Sequence, residues 1–288
     1  MKEDRSIPHV PLVLCLLLAA GFAGGAQAQS TAPAQTLLDG KVVANLGGFV
    51  LGTDLKARLN GETTSNPDVD FDKTFGKDND NTRVRGDLLW RVTPNHHLRF
   101  LYFNNTTTRK RVIDEDIQFG DDVFHAGGEV KATNSMKIGE LAYEYAFIRQ
   151  PTFELNGSLG VHWMDIGVKL RGDATVTDSN GNSSEVSGAT KKGSVSAPLP
   201  VIGVRAGWVV APSVFLDAQA QYFKAKIDNV DGSILDLRAG ATWMFSQNFG
   251  VGAGYNRFTT NVKVEKNNFD GRLKMGYQGL QLFLTGAF

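Results

Sequence analysis

Cysteine is almost absent from this 288-residue chain: Cys15 stands alone, inside an apolar stretch near the start. That count excludes an internal disulfide framework and any site built from several thiolates. An excess of either charge is lacking too. Thirty Lys and Arg balance thirty Asp and Glu, so bulk charge draws the chain to no nucleic acid. Beyond Gln29 no apolar run is long enough to cross a bilayer as a helix. Histidine is scarce at five residues, and neither zinc-ligand spacing nor a glycine-rich phosphate loop occurs.

Aromatic and small residues are abundant: 18 Phe, 6 Tyr, 4 Trp and 32 Gly. With a slightly negative mean hydropathy, that mixture suits a β-barrel, in which only every second strand residue meets lipid. Near the start, Lys2 and Arg5 precede an apolar stretch, Leu12 to Gly25, and then Ala26-Gln27-Ala28. This is the layout of a secretory signal peptide. Residues 1–28 are therefore expected to be cleaved on export and to take Cys15 with them; an uncleaved helical anchor is the alternative. Leu14 is not the small residue a lipoprotein site requires before its cysteine.

The rest of the chain is punctuated. Short breaks at Thr93-Pro94-Asn95-His96, Arg149-Gln150-Pro151-Thr152, Ala211-Pro212-Ser213 and Ser246-Gln247-Asn248 alternate with longer polar stretches at 60–81, 107–133 and 172–194. Tighter turns lie near 229–232 and 266–269. Proline suits such turns because it fixes φ and cannot donate to a ladder. Short turns opposite longer loops is the asymmetry of an outer-membrane barrel. The segments between breaks predict ten strands at 42–60, 82–93, 97–107, 133–149, 153–171, 195–210, 214–228, 233–245, 249–265 and 270–288. The class is all-β, a closed up-and-down antiparallel transmembrane β-barrel over 42–288, after a short periplasmic N-terminal segment at 29–41. The 39–46 segment and the Gln278-Gly279 interruption leave eight or twelve strands open.

Side chains alternate between faces along a strand. Val84, Gly86, Leu88, Trp90 and Val92 oppose Arg83, Arg85, Asp87, Leu89 and Arg91. Charge on a lipid face costs a few kcal/mol near the midplane, so the charged side is luminal. The same reasoning places Glu140, Glu144, Arg205, Asp217, Asp236 and Arg238 in the lumen. These ten charges form either a structural ion-pair network or the lining of a narrow pore. Trp90, Trp208, Trp243 and Phe249 fall beside the short turns; Trp163, with Tyr222, Tyr255 and Tyr277, falls about ten residues away. Together they predict two aromatic girdles at the membrane interfaces.

The last nine residues, Leu280-Gln281-Leu282-Phe283-Leu284-Thr285-Gly286-Ala287-Phe288, carry an apolar stripe on one face. They resemble the C-terminal targeting strand of Gram-negative outer-membrane β-barrels, which implies that Phe288 is read by the barrel-assembly machinery. The wider pattern resembles OmpA-like transmembrane barrels. More narrowly it resembles a group of proteobacterial outer-membrane barrel proteins, through 121–130 (DDVFHAGGEV), 197–201 (APLPV), Asp231-Gly232-Ser233, Asp236-Leu237-Arg238 and 251–256 (VGAGYN). The resemblance implies residence in the cell outer membrane of a Gram-negative bacterium. No peptidoglycan-binding domain is expected, because the last strand ends the chain.

Candidate sites are fewer. Arg109-Lys110-Arg111 is a candidate lipopolysaccharide contact, since clustered cations suit phosphates; pairing with Asp114, Glu115 and Asp116 is the alternative. Asp68, Asp70 and Asp72 match the start of a calcium loop, but Lys73 stands where glycine is needed and Asn79 where a bidentate Glu is needed. The Asp-x-His pair of barrel proteases and the His-x-Ser of lipid A deacylases are absent. No catalytic residue, cofactor or metal is therefore assigned. The expected role is structural or surface-interacting, with lipid and lipopolysaccharide as partners. A narrow porin-like channel and an enzyme with an unrecognised site are the alternatives.

Overall fold

A computed structural model describes residues 32–59, 61–65, 68–76, 81–120, 122–177, 182–227, 230–266 and 269–288. The predicted signal peptide and the acidic pair Asp78 and Asp80 lie outside them. A 3-10 turn, Pro33–Gln35, runs into a short helix α1, Thr36–Asp39. Then come β1 Val42–Leu59, β2 Gly61–Thr63, β3 Val69–Asp70, α2 Phe71–Phe75, β4 Asn81–Arg91 and β5 His96–Val112. They are followed by β6 Ile117–Phe119, β7 Asp122–Phe124, β8 Glu129–Gln150, β9 Phe153–Thr177, β10 Ser183–Ala211 and β11 Val214–Ile227. The last three are β12 Val230–Met244, β13 Phe249–Lys266 and β14 Phe269–Ala287.

Ten of these strands form one antiparallel ring: β1 pairs with β4, and pairing continues through β5, β8, β9, β10, β11, β12, β13 and β14 back to β1. Following the register from Val42 through Trp90, Leu98, Tyr143, Leu159, Ile202, Tyr222, Leu235, Thr259 and Gly276 returns to β1 at Asp54. The stagger is therefore 12 residues, the difference between positions 42 and 54. At about 3.3 Å per residue and about 4.8 Å between strands, it tilts the strands by about 40°. The barrel closes at its C-terminal strand, where Val42 and Phe288 exchange backbone hydrogen bonds, each 2.8 Å.

The two segments that left the strand count open are both continuous ladder. Val43 pairs with Ala287, and β14 passes through Gln278 and Gly279 in register with Gly52 and Leu51. The polar stretches at 107–133 and 172–194 are mostly strand rather than loop. β5 and β8 stay paired out to Val112 and Glu129, and β9 and β10 out to Thr177 and Ser183. Their sequences read as loops because lipid no longer demands an apolar outer face there.

Facing is resolved by exposure. Leu280, Leu282, Leu284 and Phe288 are 61–68% exposed, whereas Gln281, Phe283 and Thr285 are at most 5% exposed. Leu159, Val161 and Trp163 likewise face out while Asn156, His162 and Met164 are buried. Close packing inside requires glycine: a Cβ on Gly252 would sit 2.2 Å from Phe283 Cζ.

Candidate functional site

The lumen is filled in three layers. Nearest the short turns, Ala34, Leu37 and Leu38 insert into the barrel mouth and pack on Val43, Leu89, Val209, Phe215, Met244 and Ala287. The chain is tied there by polar contacts. Ala34 N–H donates to Pro212 O at 2.9 Å, and the Thr36 hydroxyl donates to Gln247 O at 2.8 Å. Arg91 donates to Gly40 O and Leu37 O at 2.6 and 2.7 Å, and Arg149 pairs with Asp39 at 3.0 Å. The segment expected merely to precede the barrel thus plugs it.

The middle layer is ionic. Arg85 meets Asp87 at 3.2 Å; Asp87 accepts from Arg238 at 3.3 Å, and Arg238 reaches Asp217 at 3.6 Å. Across the lumen, Arg99 bridges Glu140 at 3.1 Å and Glu144 at 3.0 Å, and also donates to Gln219. Glu144 accepts from Arg205 Nε at 2.9 Å, and Arg205 lies 3.6 Å from Glu154. His162 Nε2 lies 3.2 Å from Glu140, and His97 Nδ1 3.9 Å from Glu154. Most of these groups are buried, and a buried charge is tolerable only when opposed and hydrogen-bonded. A cavity of about 60 Å³ between this layer and the plug is lined by Leu37, Asp87, Arg99, Arg205, Asp217 and Arg238, among others. It has room for a few water molecules.

The loop half of the lumen is mainly apolar, with Arg83, Asn105, Arg109 and Asn134 buried among its side chains. Phe49, Phe103, Phe258 and Tyr277 stack at centroid distances of 5.0–6.3 Å. Met136, Ile138, Met164, Ile166, Val168 and Leu170 surround them. The mouth itself is capped by side chains folded in from the loops: Val69 and Phe75 from the first, and Ile113, Ile117, Phe119 and Phe124 from the second. The boundary between layers is direct, because the Arg85 guanidinium lies 5.9 Å over the Phe49 ring.

The predicted luminal charges land as follows. Arg85, Asp87, Glu140, Glu144, Arg205, Asp217 and Arg238 form the ionic layer. Asp236 is buried beside them, but its hydrogen-bond partner is Asn256 at 2.7 Å rather than an arginine. Arg83 lies further toward the loops and donates to Asn105 at 3.0 Å. Arg91 belongs to the plug. His162 lies on the luminal face that strand alternation assigns it. Arg99, Glu154 and His97 also join the layer, and alternation from their neighbours is enough to place them there.

Trp90, Trp163, Trp208, Trp243 and Phe249 all face outward, as do Tyr222 and Tyr255. Tyr277 does not: it is 4% exposed within the apolar layer. Its odd number on β14 puts it on the face of Phe283, not that of Leu282. The basic triplet also divides. Arg109 is buried and points inward, and Arg111 lies against Gly76 behind α2, so only Lys110 faces out, paired with Glu129 at 2.7 Å. Adjacent residues on a strand cannot share a face. Of the acids offered as partners, Asp116 accepts from the Ala126 amide at 2.8 Å and lies 3.5 Å from His125, and Glu115 accepts from the Thr64 and Ser65 hydroxyls at 3.2 and 2.7 Å. Asp70, from the calcium-like run, caps α2 by accepting from Lys73 N–H at 3.1 Å.

No protein-family model and no curated protein matches the sequence, but solved structures do. The outer membrane protease OmpT of Escherichia coli aligns over 86% of this chain and 96% of its own, at 12% identity and a TM-score of 0.54. The toluene transporter TodX of Pseudomonas putida aligns over 93% and 96%, at 9% identity and a TM-score of 0.31. Ail of Yersinia pestis aligns over 84% and 98%, at 9% identity and a TM-score of 0.27. The OmpT likeness is one of fold: this chain forms a closed ten-stranded antiparallel β-barrel of the kind found in outer-membrane proteins. No activity follows from it at that identity.

Proposed function

We propose that this barrel is a non-conducting, non-catalytic outer-membrane protein with a structural or surface-interaction role, its outer wall and loops meeting lipopolysaccharide or external partners. The observation that carries the reading is the filling of the lumen along its length: plug, ionic layer, then apolar core. A hydrated ion crossing that path would have to break buried ion pairs, which costs several kcal/mol for each charge left unopposed. Both luminal histidines, His97 and His162, are buried out of reach of a substrate, which favours a packing role over an acid–base role. The exposed Phe288 at the closing seam fits its reading by the assembly machinery.

Purified protein in planar bilayers is expected to give no discrete conductance steps at moderate voltage. Steady openings from pure protein would sink the closed-lumen reading. A narrow channel is the second reading, and one observation favours it: the turn-side mouth is filled by a chain segment rather than by wall side chains. Deleting residues 29–40 tests it. Silence of the truncated barrel is expected, since two layers remain; openings that appear only on deletion would make the segment a gate.

A further inference from the structure

The outward faces of the strands change chemistry at a defined height. On β9 the outward residues from Phe153 to Trp163 include no charge; Asp165 is the first, followed by Gly167, Lys169 and Arg171. Ten residues at about 3.3 Å, tilted by about 40°, give an apolar band about 25 Å tall, the height expected of an outer-membrane barrel. Beyond it the wall is cationic. Lys110, Lys131, Lys137, Lys169, Arg171, Lys192, Lys224, Lys226, Arg257 and Lys274 all face out, against Glu129, Asp165, Asp173, Glu185 and Asp231. The outward charge above the band is thus mostly basic, whereas the lumen mixes arginines with carboxylates.

The cations are densest where four strands meet. Register places Lys110 beside Lys131, and Lys131 beside Arg171. One step down the ladder, Thr108 lies beside Thr133, Thr133 beside Lys169, and Lys169 beside Lys192. Like charges directly opposite each other destabilise a sheet. Among the described residues, no carboxylate lies within ion-pair distance of Lys131, Lys169, Arg171 or Lys192; Lys110 alone is paired. Five cations in two adjacent rows, with neighbouring strands about 4.8 Å apart, make a surface that suits an external polyanion.

Height identifies the polyanion. Lys169 stands six residues beyond Trp163, or about 15 Å up the tilted wall. A phospholipid headgroup layer reaches only about 5–8 Å beyond the hydrocarbon. An anion carried on extended sugars, anchored by acyl chains in the outer leaflet, is at the right level. We propose that Lys110, Lys131, Lys169, Arg171 and Lys192 form a binding site for the phosphorylated core sugars of lipopolysaccharide. The inference rests on the reading that the outer wall meets this lipid, and it supplies the site that the divided 109–111 triplet does not.

The test uses the full-length mature barrel in neutral detergent, titrated with phosphate-bearing rough lipopolysaccharide and with its dephosphorylated counterpart. The variant Lys131→Gln, Lys169→Gln, Arg171→Gln, Lys192→Gln is compared with the equally discharged Lys224→Gln, Lys226→Gln, Arg257→Gln, Lys274→Gln. The first should bind about 30-fold more weakly, from four exposed pairs of modest strength; the second should change by less than about threefold. Wild-type affinity should fall with salt and on dephosphorylation. Equal losses in the two variants would replace the site with diffuse attraction. No loss in the first, with wild-type binding intact, would overturn the site alone. Failure of the wild type to bind at all would overturn the wider lipid reading.

Discussion

The two halves of the barrel are built on opposite codes. In the turn half, β8 places Leu141, Tyr143 and Tyr145 outside and Glu140 and Glu144 inside. In the loop half the same strand places Lys131 and Lys137 outside and Val130, Ala132, Met136 and Ile138 inside. β9 reverses likewise, from Leu159 and Trp163 out with Asn156 and His162 in, to Lys169 and Arg171 out with Ile166, Val168 and Leu170 in. The reason is the solvent. Where hydrocarbon surrounds the wall, apolar residues gain little by turning inward, and the interior is left to paired charges. Where water surrounds it, the hydrophobic effect returns and the same sheet becomes the shell of an ordinary apolar core. One continuous ladder spans both regimes.

The strongest way to break this comparison is to remove one residue from each interior. Arg99→Ala leaves Glu140 and Glu144 without their shared cation, which should cost about 3–5 kcal/mol. Phe258→Ala removes a ring stacked 5.0 Å from Tyr277 and 6.4 Å from His162, at about 3–5 kcal/mol by lost packing and cavity formation. Urea unfolding of the reconstituted barrel, read by gel mobility, checks both. The losses should differ in kind. Loss of the arginine should be relieved as pH falls and the carboxylates protonate, whereas loss of the ring should not. If both variants respond alike to acid, the division into ionic and apolar layers is wrong.

The outer wall offers a sharper contrast. Leu159→Arg, near the middle of the lipid-facing band, should cost about 2–4 kcal/mol. Thr106→Arg, outward on β5 beyond Tyr102, should fall within about 0.5 kcal/mol of wild type. Equal costs, measured in the same bilayers, would mean that lipid covers both positions and that the reversal has another cause.

The same reversal explains what could be read from sequence. A barrel in lipid announces itself through apolar stripes opposite charge, so the strand pairs containing Leu88 and Asp87, or Leu237 and Arg238, were legible at once, and their luminal charges with them. Tyr277, Phe103 and Phe258 face inward in the loop half, where a lipid code assigns aromatics to the outside. The stretches 107–133 and 172–194 read as loops for the same reason, their polar outer faces belonging to strands beyond the membrane. The cationic wall was hidden because its members are scattered from Lys110 to Lys192 and meet only through register. Arg109-Lys110-Arg111, adjacent in sequence, misled because adjacency on a strand means opposite faces. The plug left no signal, since Pro33–Asp39 is too short for a periodic pattern.

Arg91 separates the plug from the rest of the turn half. It is the buried cation whose hydrogen bonds go to the carbonyls of Leu37 and Gly40 rather than into the ionic layer. Arg91→Ala should therefore cost about 1.5–3 kcal/mol, the range for hydrogen bonds made by a charged donor. It should also expose the chain before Val42 to proteases while leaving the bilayer silent. Proteolysis and conductance run on one preparation check both halves of that statement. A variant whose N-terminal segment stays protected would show that Ala34, Leu37 and Leu38 hold the plug by packing alone.

The smallest effect belongs to the loop that caps the apolar half. Asp116 accepts a hydrogen bond from the Ala126 amide and lies beside His125, and together these hold its carboxyl below the usual carboxylate range, the amide being the larger cause. A depressed folded value means that Asp116 favours the ordered loop fully above the unfolded pKa of about 3.9. That contribution is lost as pH falls through the lower, folded value. The side chain is exposed, so the change should stay local to residues 113–128 and leave the global unfolding midpoint unmoved. The Ala126 amide resonance, followed downward from pH 6 by NMR in micelles, should titrate with a midpoint below that of a free aspartate and shift little in Asp116→Asn. A midpoint at or above the free value would mean that the amide contact does not order the loop, leaving Ile117, Phe119 and Phe124 to hold the cap by burial alone.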